Sequence, residues 1–242
     1  MLTKYLPIFI ILSLLAEILG TIGGFGSSVY FVPVANLFLD FQSVLGITAL
    51  FHLSSNISKI MLFKKGFDKH IVIYLGIPAI LFVSLGAYFS NFLDPKILTY
   101  ILGFFLVLLS SLFLIFKQLR VLPKTRNAIL GGSLSGLSAG LLGTGGAIRG
   151  ITLSAFKLDK NKFIATSAVI DLGVDFSRSI IYYTNGYIHK HDLYLIPILI
   201  VIGFVGTWIG KKILNRFSQE QFRNFVLGLI LAIGIISILT NN

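Results

Sequence analysis

Apolar runs of roughly twenty residues recur along this chain, each closed off by a short loop rich in lysine and arginine. A helix rises about 1.5 Å per residue, so a run of that length matches the hydrocarbon thickness of a bilayer. Inside that layer no water meets backbone N–H and C=O groups, and a helix satisfies them within one segment. The sequence therefore predicts an all-α polytopic membrane protein whose surroundings are the lipid bilayer. Composition agrees. Of 242 residues, 55% are hydrophobic and 12% charged, with a mean hydropathy of +0.91, which leaves too little polar surface for a soluble domain. The net charge of +11 does not point to nucleic acid, because the positive charges lie in loops between apolar runs and not on a soluble face. The absence of cysteine excludes disulfides, thiolate chemistry and Cys-ligated metals. No cleavable signal peptide is evident in MLTKYLPIFIILSLLAEILG, which lacks a short apolar region followed by a small-residue cleavage site.

Six full spans are predicted, over 43–63, 71–89, 97–116, 163–183, 193–209 and 222–239. Two stretches, 5–39 and 127–156, do not fit a simple crossing. Each is an apolar run of about 16 residues, a glycine cluster and a shorter apolar run, as expected of a broken helix or a hairpin that enters the bilayer and returns. Lysine and arginine mark the cytoplasmic side of a membrane protein. Loops 64–70, 117–126, 157–162 and 210–224 hold 3, 4, 3 and 4 of them, 14 of the chain's 20. The N-terminus, 40–42, 90–96, 184–192 and the C-terminus hold only Lys4, Lys96 and Lys190. With the first group cytoplasmic, 117–126 and 157–162 share a side, so 127–156 leaves and re-enters the same face. Both termini then lie outside.

The two halves, 1–120 and 121–242, align at an offset of 119 to 120. Gly20, Gly23 and Gly26 fall on Gly140, Gly143 and Gly146. After a one-residue slip, His52, Asn56, Ser58 and Lys59 fall on Asp171, Asp175, Ser177 and Arg178, and Pro78 falls on Pro197. Gly66 and Gly86 match Gly186 and Gly206. Each half is then one glycine-broken re-entrant hairpin plus three spans, an odd number, so the second half is inverted relative to the first. Inverted repeats with interrupted helices are a recurrent build of secondary transporters, with the site near the midplane where the halves meet.

The segments GTIGGFGSS (20–28) and GLLGTGGAIRG (140–150), each followed at similar spacing by a helix bearing polar residues, resemble the sulfite exporter TauE/SafE family of membrane transporters. The resemblance covers essentially the whole chain. Its pattern carries a proline after each glycine cluster; Pro33 matches it, whereas the partner position is Leu153. The resemblance implies transport of a small, often sulfur-containing anion across the cytoplasmic membrane, with export as the direction.

The residues themselves point the same way. A helix beginning at each glycine cluster leaves its first N–H groups without an intrahelical partner, at Gly26, Ser27 and Ser28 and again at Gly146 and Ala147. An anion satisfies such donors and meets the positive end of the helix dipole. Gly24 and Gly145 belong to the same two breaks. Arg149, Lys59, Arg178 and the amide Asn56 complete the candidate substrate-binding set. Each has a structural alternative: Arg149 pairs with Asp171 or Asp175, Arg178 with Asp175, and Lys59 snorkels to the interface. Gly132, Gly136 and Gly140 recur at four-residue intervals as a small-residue packing ridge.

Glu17, His52, Asp171 and Asp175 are the candidates for proton coupling, since protonating a carboxylate would free an arginine for an anion. A lone histidine such as His52 also reads as hydrogen-bonded packing. GLSAG (136–140) fits a nucleophile-elbow pattern, but it lies in a predicted helix with no evident base for Ser138. No His or carboxylate cluster has metal-ligand spacing, and no cofactor is expected. The expected function is secondary transport of a small anion, sulfite or an organosulfonate such as sulfoacetate, coupled to protons. A passive anion channel and a non-transporting scaffold subunit are the alternatives.

Overall fold

The computed structural model describes residues 2–24, 26–64, 66–115 and 122–214, together with Leu231 and Ile235. Within them the chain is helical, with elements α1 (Leu2–Gly23), α2 (Ser28–Ala35), α3 (Phe41–Leu62), α4 (Lys69–Ser90), α5 (Pro95–Ile115), α6 (Thr125–Leu142), α7 (Gly146–Ser154), α8 (Lys160–Thr184) and α9 (Leu195–Ile213). Five predicted spans correspond to α3, α4, α5, α8 and α9. The sixth, 222–239, lies outside the described residues apart from Leu231 and Ile235. Among the described residues four helices are long and apolar enough to cross a bilayer: Tyr5–Gly23, Lys69–Ser90, Pro95–Leu112 and Leu195–Ile213. Their large apolar side chains, such as Ile11, Leu81, Phe104 and Val201, are exposed. On a water-facing surface such a band would drive association; against lipid it is the solvated face. The chain is a multi-pass membrane protein.

The two stretches that resist a simple crossing are helix, break, short helix. α1 runs 22 residues, longer than the apolar run alone, because an interior glycine costs a helix only about 1 kcal/mol. The chain then reverses through Gly24 and Gly26, whose φ values of 69° and 81° are left-handed and open to glycine at no steric cost. Beyond the break it runs back along α1: the Ser27 hydroxyl donates to Glu17, and Phe31 and Phe38 both pack edge-on against Phe9. The second stretch repeats this. Gly143, at φ 74°, ends α6, the Ser135 hydroxyl donates to the Gly145 carbonyl at 2.9 Å, and Gly131 abuts Thr152. The returning helices have 8 and 9 residues, about 12 to 14 Å, less than half a bilayer.

α3 and α8 form the centre and run antiparallel. Near the start of α3, Ser43 meets His189 just past the end of α8. Just past the end of α3, Asp68 pairs with Lys162 and its N–H donates to Thr166 at the start of α8. Asn56 and Asp175 meet midway. Both helices begin on an aspartate N-cap with φ −63° and ψ 154°, Asp40 and Asp159. Asp40 accepts the N–H of Ser43, and Asp159 those of Asn161 and Lys162, satisfying donors that a helix start leaves orphaned. The caps lie 119 residues apart, the offset at which the halves align.

Around this pair the packing is reciprocal. α1 lies against α9, and α6 lies against α4. The α6–α4 contact is backbone on backbone. A Cβ on Gly132, Gly136 or Gly140 would come within 2.2, 2.1 and 2.3 Å of the carbonyl oxygens of Leu75, Ala79 and Val83, so the expected packing ridge is present. On the other side, Gly206 and Gly210 of α9 take the same role against Glu17 and Thr21 of α1. Helices approach this closely in lipid because dispersion contacts between small residues replace a hydrophobic driving force. Gly136→Val should therefore cost about 2 kcal/mol or more of stability, read as a lower melting temperature of the detergent-purified protein. Leu134→Val, on the exposed side of the same helix, should leave it nearly unchanged. Equal melting temperatures for the two variants would refute the ridge.

Candidate functional site

Among the described residues, the six charges inside the apolar segments form three pairs. Glu17 on α1 is fully buried. Its carboxylate accepts hydrogen bonds from the hydroxyls of Thr21, Ser27, Ser55 and Thr207 and pairs with Lys59 Nζ at 2.9 Å. Lys59 also donates to Ser55 at 2.7 Å. Lys59 is thus buried and paired, not snorkelling. Five partners from three helices and the first break converge on one carboxylate, which offsets the cost of burying that charge.

Arg178 on α8 pairs with Asp175 through Nε and a terminal nitrogen, at 2.8 and 2.7 Å. Its other terminal nitrogen donates to the carbonyls of Ala139 and Gly143, at 3.1 and 2.8 Å. Tyr182 donates to the Ala139 and Gly140 carbonyls. Those carbonyls end α6, where the last turn has no intrahelical donors and the dipole is negative. Arg178 is therefore committed to capping the first arm of the second hairpin. Asp175 also accepts the Asn56 amide at 2.7 Å, joining α8 to α3. His52 connects the two halves of this network. Because the Ser27 hydroxyl donates to Glu17, His52 Nε2 donates to Ser27 Oγ at 3.0 Å, while its Nδ1 faces Asp175 at 3.9 Å.

Arg149 on α7 is buried and holds Asp171 of α8 in a two-pronged ion pair. Its Nε donates to Ser167 at 3.0 Å. Of the alternatives open for its partner, Asp171 is the one it takes. Gly26, at the break of the first hairpin, sits directly over this pair: a Cβ there would lie 3.5 Å from an Arg149 nitrogen and 3.8 Å from Asp171 Oδ2. A narrow cavity opens at this point. Gly20, Gly24 and Gly26 form one wall, Asn56 and Lys59 another, and Ser167 and Asp171 a third.

The structure thus brings Gly24, Gly26, Asn56, Lys59, Asp171 and Arg149 together, with Ser27 just behind at Glu17. The second glycine cluster is placed differently. Gly145, Gly146 and Ala147 do not line the cavity; the space a Gly145 side chain would need is filled by the Ser135 carbonyl, and Ala147 is packed in the apolar core. Ser28 is buried at the start of α2. Ser138 lies within α6 and donates to backbone carbonyls of Ser135 and Thr144, an arrangement unlike a strand-to-helix nucleophile turn. Ser167 and the hydroxyls of Thr21, Ser55 and Thr207 around Glu17 were not anticipated. Ser167 was legible, since 167, 171, 175 and 178 recur at helical spacing on one face of α8.

Apolar helices of bilayer length packed around a buried, internally paired polar centre with a cavity at a helix break define a polytopic membrane protein of the transporter class. A sequence model of the sulfite exporter TauE/SafE family matches residues 9–236, so the chain belongs to that family of membrane transporters. It is also similar to a protein of Methanocaldococcus jannaschii described as a probable membrane transporter, with 27% identity over 262 residues, covering 97% of this chain and 96% of the relative.

Removing one member of a buried ion pair leaves a charge uncompensated, typically at about 3–5 kcal/mol, whereas replacing both is far cheaper. Lys59→Met should therefore lower stability by that order, and Glu17→Gln/Lys59→Met should recover most of the loss. Strictly additive effects of Glu17→Gln and Lys59→Met in a melting-temperature cycle would show that the pair is not coupled.

Proposed function

We propose that this protein is a secondary transporter of a small anion, sulfite or an organosulfonate such as sulfoacetate, and that it exports the anion across the cytoplasmic membrane. The observation that carries this reading is the narrow cavity at the first helix break, lined by Lys59, Asn56, Ser167 and Asp171, with Arg149 bonded to the last two of these beneath Gly26. Those side chains suit an oxyanion: one ammonium, one amide, one hydroxyl, a guanidinium whose planar fork matches two oxygens, and backbone N–H groups at the start of α2. Every charge here already has a protein partner. An anion therefore enters by exchange, taking the place of the Asp171 carboxylate on Arg149. Protonation of Asp171 favours that exchange by cancelling the competing charge, which links proton and anion binding.

The build of the protein supports alternating access. The antiparallel α3–α8 pair, the aspartate caps 119 residues apart, and the reciprocal packing of α1 on α9 and α6 on α4 are what two inverted halves would produce. Each half then contributes a re-entrant hairpin, α1–α2 and α6–α7, entering from opposite faces, with both termini outside. Rocking of one half against the other would expose the cavity to each side in turn.

Thermal stability of the detergent-purified protein against sulfite, sulfate, thiosulfate, sulfoacetate and acetate tests the site. Saturable stabilisation by a sulfur oxyanion is expected, lost in Arg149→Ala. With a simple alkyl sulfonate, which stays anionic throughout, wild-type affinity should rise as pH falls, and Asp171→Asn should flatten that dependence. No stabilisation by any anion, or undiminished stabilisation in Arg149→Ala, would return the glycine breaks to a packing role and leave the scaffold reading standing.

A further inference from the structure

A second cluster of chemistry-bearing side chains lies in the loop between α8 and α9, away from the cavity. We propose that His189, His191 and Asp192 form a binding site for a transition-metal dication of the Zn²⁺ class. The sequence IHKHD offers no helical ligand spacing, yet a 3-10 turn over Lys190–Asp192 folds it on itself. In a 3-10 turn residues i and i+3 eclipse, and that brings Asp192 under His189. One donor atom from each of the three side chains lies within 4.8 Å of the others. Asp192 Oδ2 is 3.4 Å from His191 Nε2 and 3.8 Å from His189 Nδ1. The imidazoles are parallel, 8° apart in plane with centroids at 5.2 Å, so they present their edges together.

Zinc bonds of about 2.0–2.1 Å in tetrahedral geometry set neighbouring donors about 3.3 Å apart. The His191–Asp192 edge already has that spacing, His189 needs to close on Asp192 by roughly half an ångström, and the two imidazole donors start within 4.8 Å of each other.

The independent sign of a ligand is Asp192 itself. The residue is 3% exposed, and its Oδ2, the atom turned toward both imidazoles, has no hydrogen-bond partner among the described residues. A buried carboxylate oxygen without a donor is costly, and a dication would satisfy it. Two imidazoles and one carboxylate suit borderline metals of the zinc, nickel and cobalt type, whereas Mg²⁺ and Ca²⁺ prefer all-oxygen sites. His191 is largely exposed, which leaves an entry path and a fourth position for water. His189 Nδ1 now donates to Ser43 Oγ, because the Ser43 hydroxyl itself donates to Asp40. Metal binding replaces the first bond and leaves Ser43 on Asp40, whose carboxylate adds negative potential beside the site. Bound metal would fix the loop where it packs on the first turns of α3, at one end of the helix pair that carries Asn56 and Asp175.

The test is isothermal titration of ZnCl₂ into tag-free, chelator-treated, detergent-purified protein, with MgCl₂ as control. One zinc per chain is expected, with no response to magnesium. His191→Ala removes a ligand from an exposed position and should weaken zinc affinity by roughly tenfold or more without altering the melting temperature of the metal-free protein. Asp192→Asn should weaken it similarly. Absence of zinc binding to the wild type, or unchanged affinity in His191→Ala, would overturn the site and leave the imidazoles as packing neighbours of Asp192.

Discussion

A charge taken out of water must be met by another charge and by hydrogen bonds, and the interior of this protein is arranged around that requirement. The pairs Glu17–Lys59 and Asp171–Arg149 join α1 to α3 and α7 to α8, while Arg178, paired with Asp175 on α8, reaches the carbonyls that end α6. Beside these pairs, Ser27–His52 and Tyr182 on the α6 carbonyls also tie the broken hairpins to the central helices. The hydroxyls of Thr21, Ser27, Ser55 and Thr207 serve one carboxylate, so helices from both halves of the chain depend on Glu17.

The second constraint is the backbone at the two breaks. A helix that stops inside an apolar layer exposes carbonyls at its end and N–H groups at the next start. At the second break the carbonyls are met by Arg178 and Tyr182, and the ridge of glycines seals α6 onto α4. At the first break the glycines instead border a cavity. The two halves therefore use similar breaks to different ends. One is closed by the protein's own cation; the other leaves Lys59, Asn56 and Asp171 lining a narrow cavity, with Arg149 held beside it by Asp171. This asymmetry is why the substrate reading rests on the first hairpin with Arg149 contributed by the second.

Much of this was legible in the chain. Apolar run length marked the helices, and the glycine clusters marked the breaks within a few residues, because both signals are local. The face carrying Asp171, Asp175 and Arg178 followed from helical spacing, as did the small-residue ridge of α6. What sequence could not supply was pairing across the fold. Glu17 and Lys59 lie on different helices, and nothing in the spacing of either says that they meet. The equal standing given to both glycine clusters also exceeded what the structure brings together, since Gly145 is occupied by a carbonyl contact invisible in one dimension. The aspartate caps at 40 and 159, 119 residues apart, do not stand out in the sequence, because an N-cap is recognised only once the helix start is known. The HKHD turn escaped notice because its donors converge only through a 3-10 turn, not through helix or strand periodicity.

The most direct measurement is sulfite flux in proteoliposomes containing wild-type protein or Arg149→Ala, followed as a function of sulfite concentration. The exchange of an anion for Asp171 on Arg149 predicts saturable flux in the wild type and loss of flux in the variant, compared at a temperature at which the destabilised variant is still folded. Flux that rises linearly without saturation would make the protein a channel, and flux unchanged in Arg149→Ala would place the anion elsewhere.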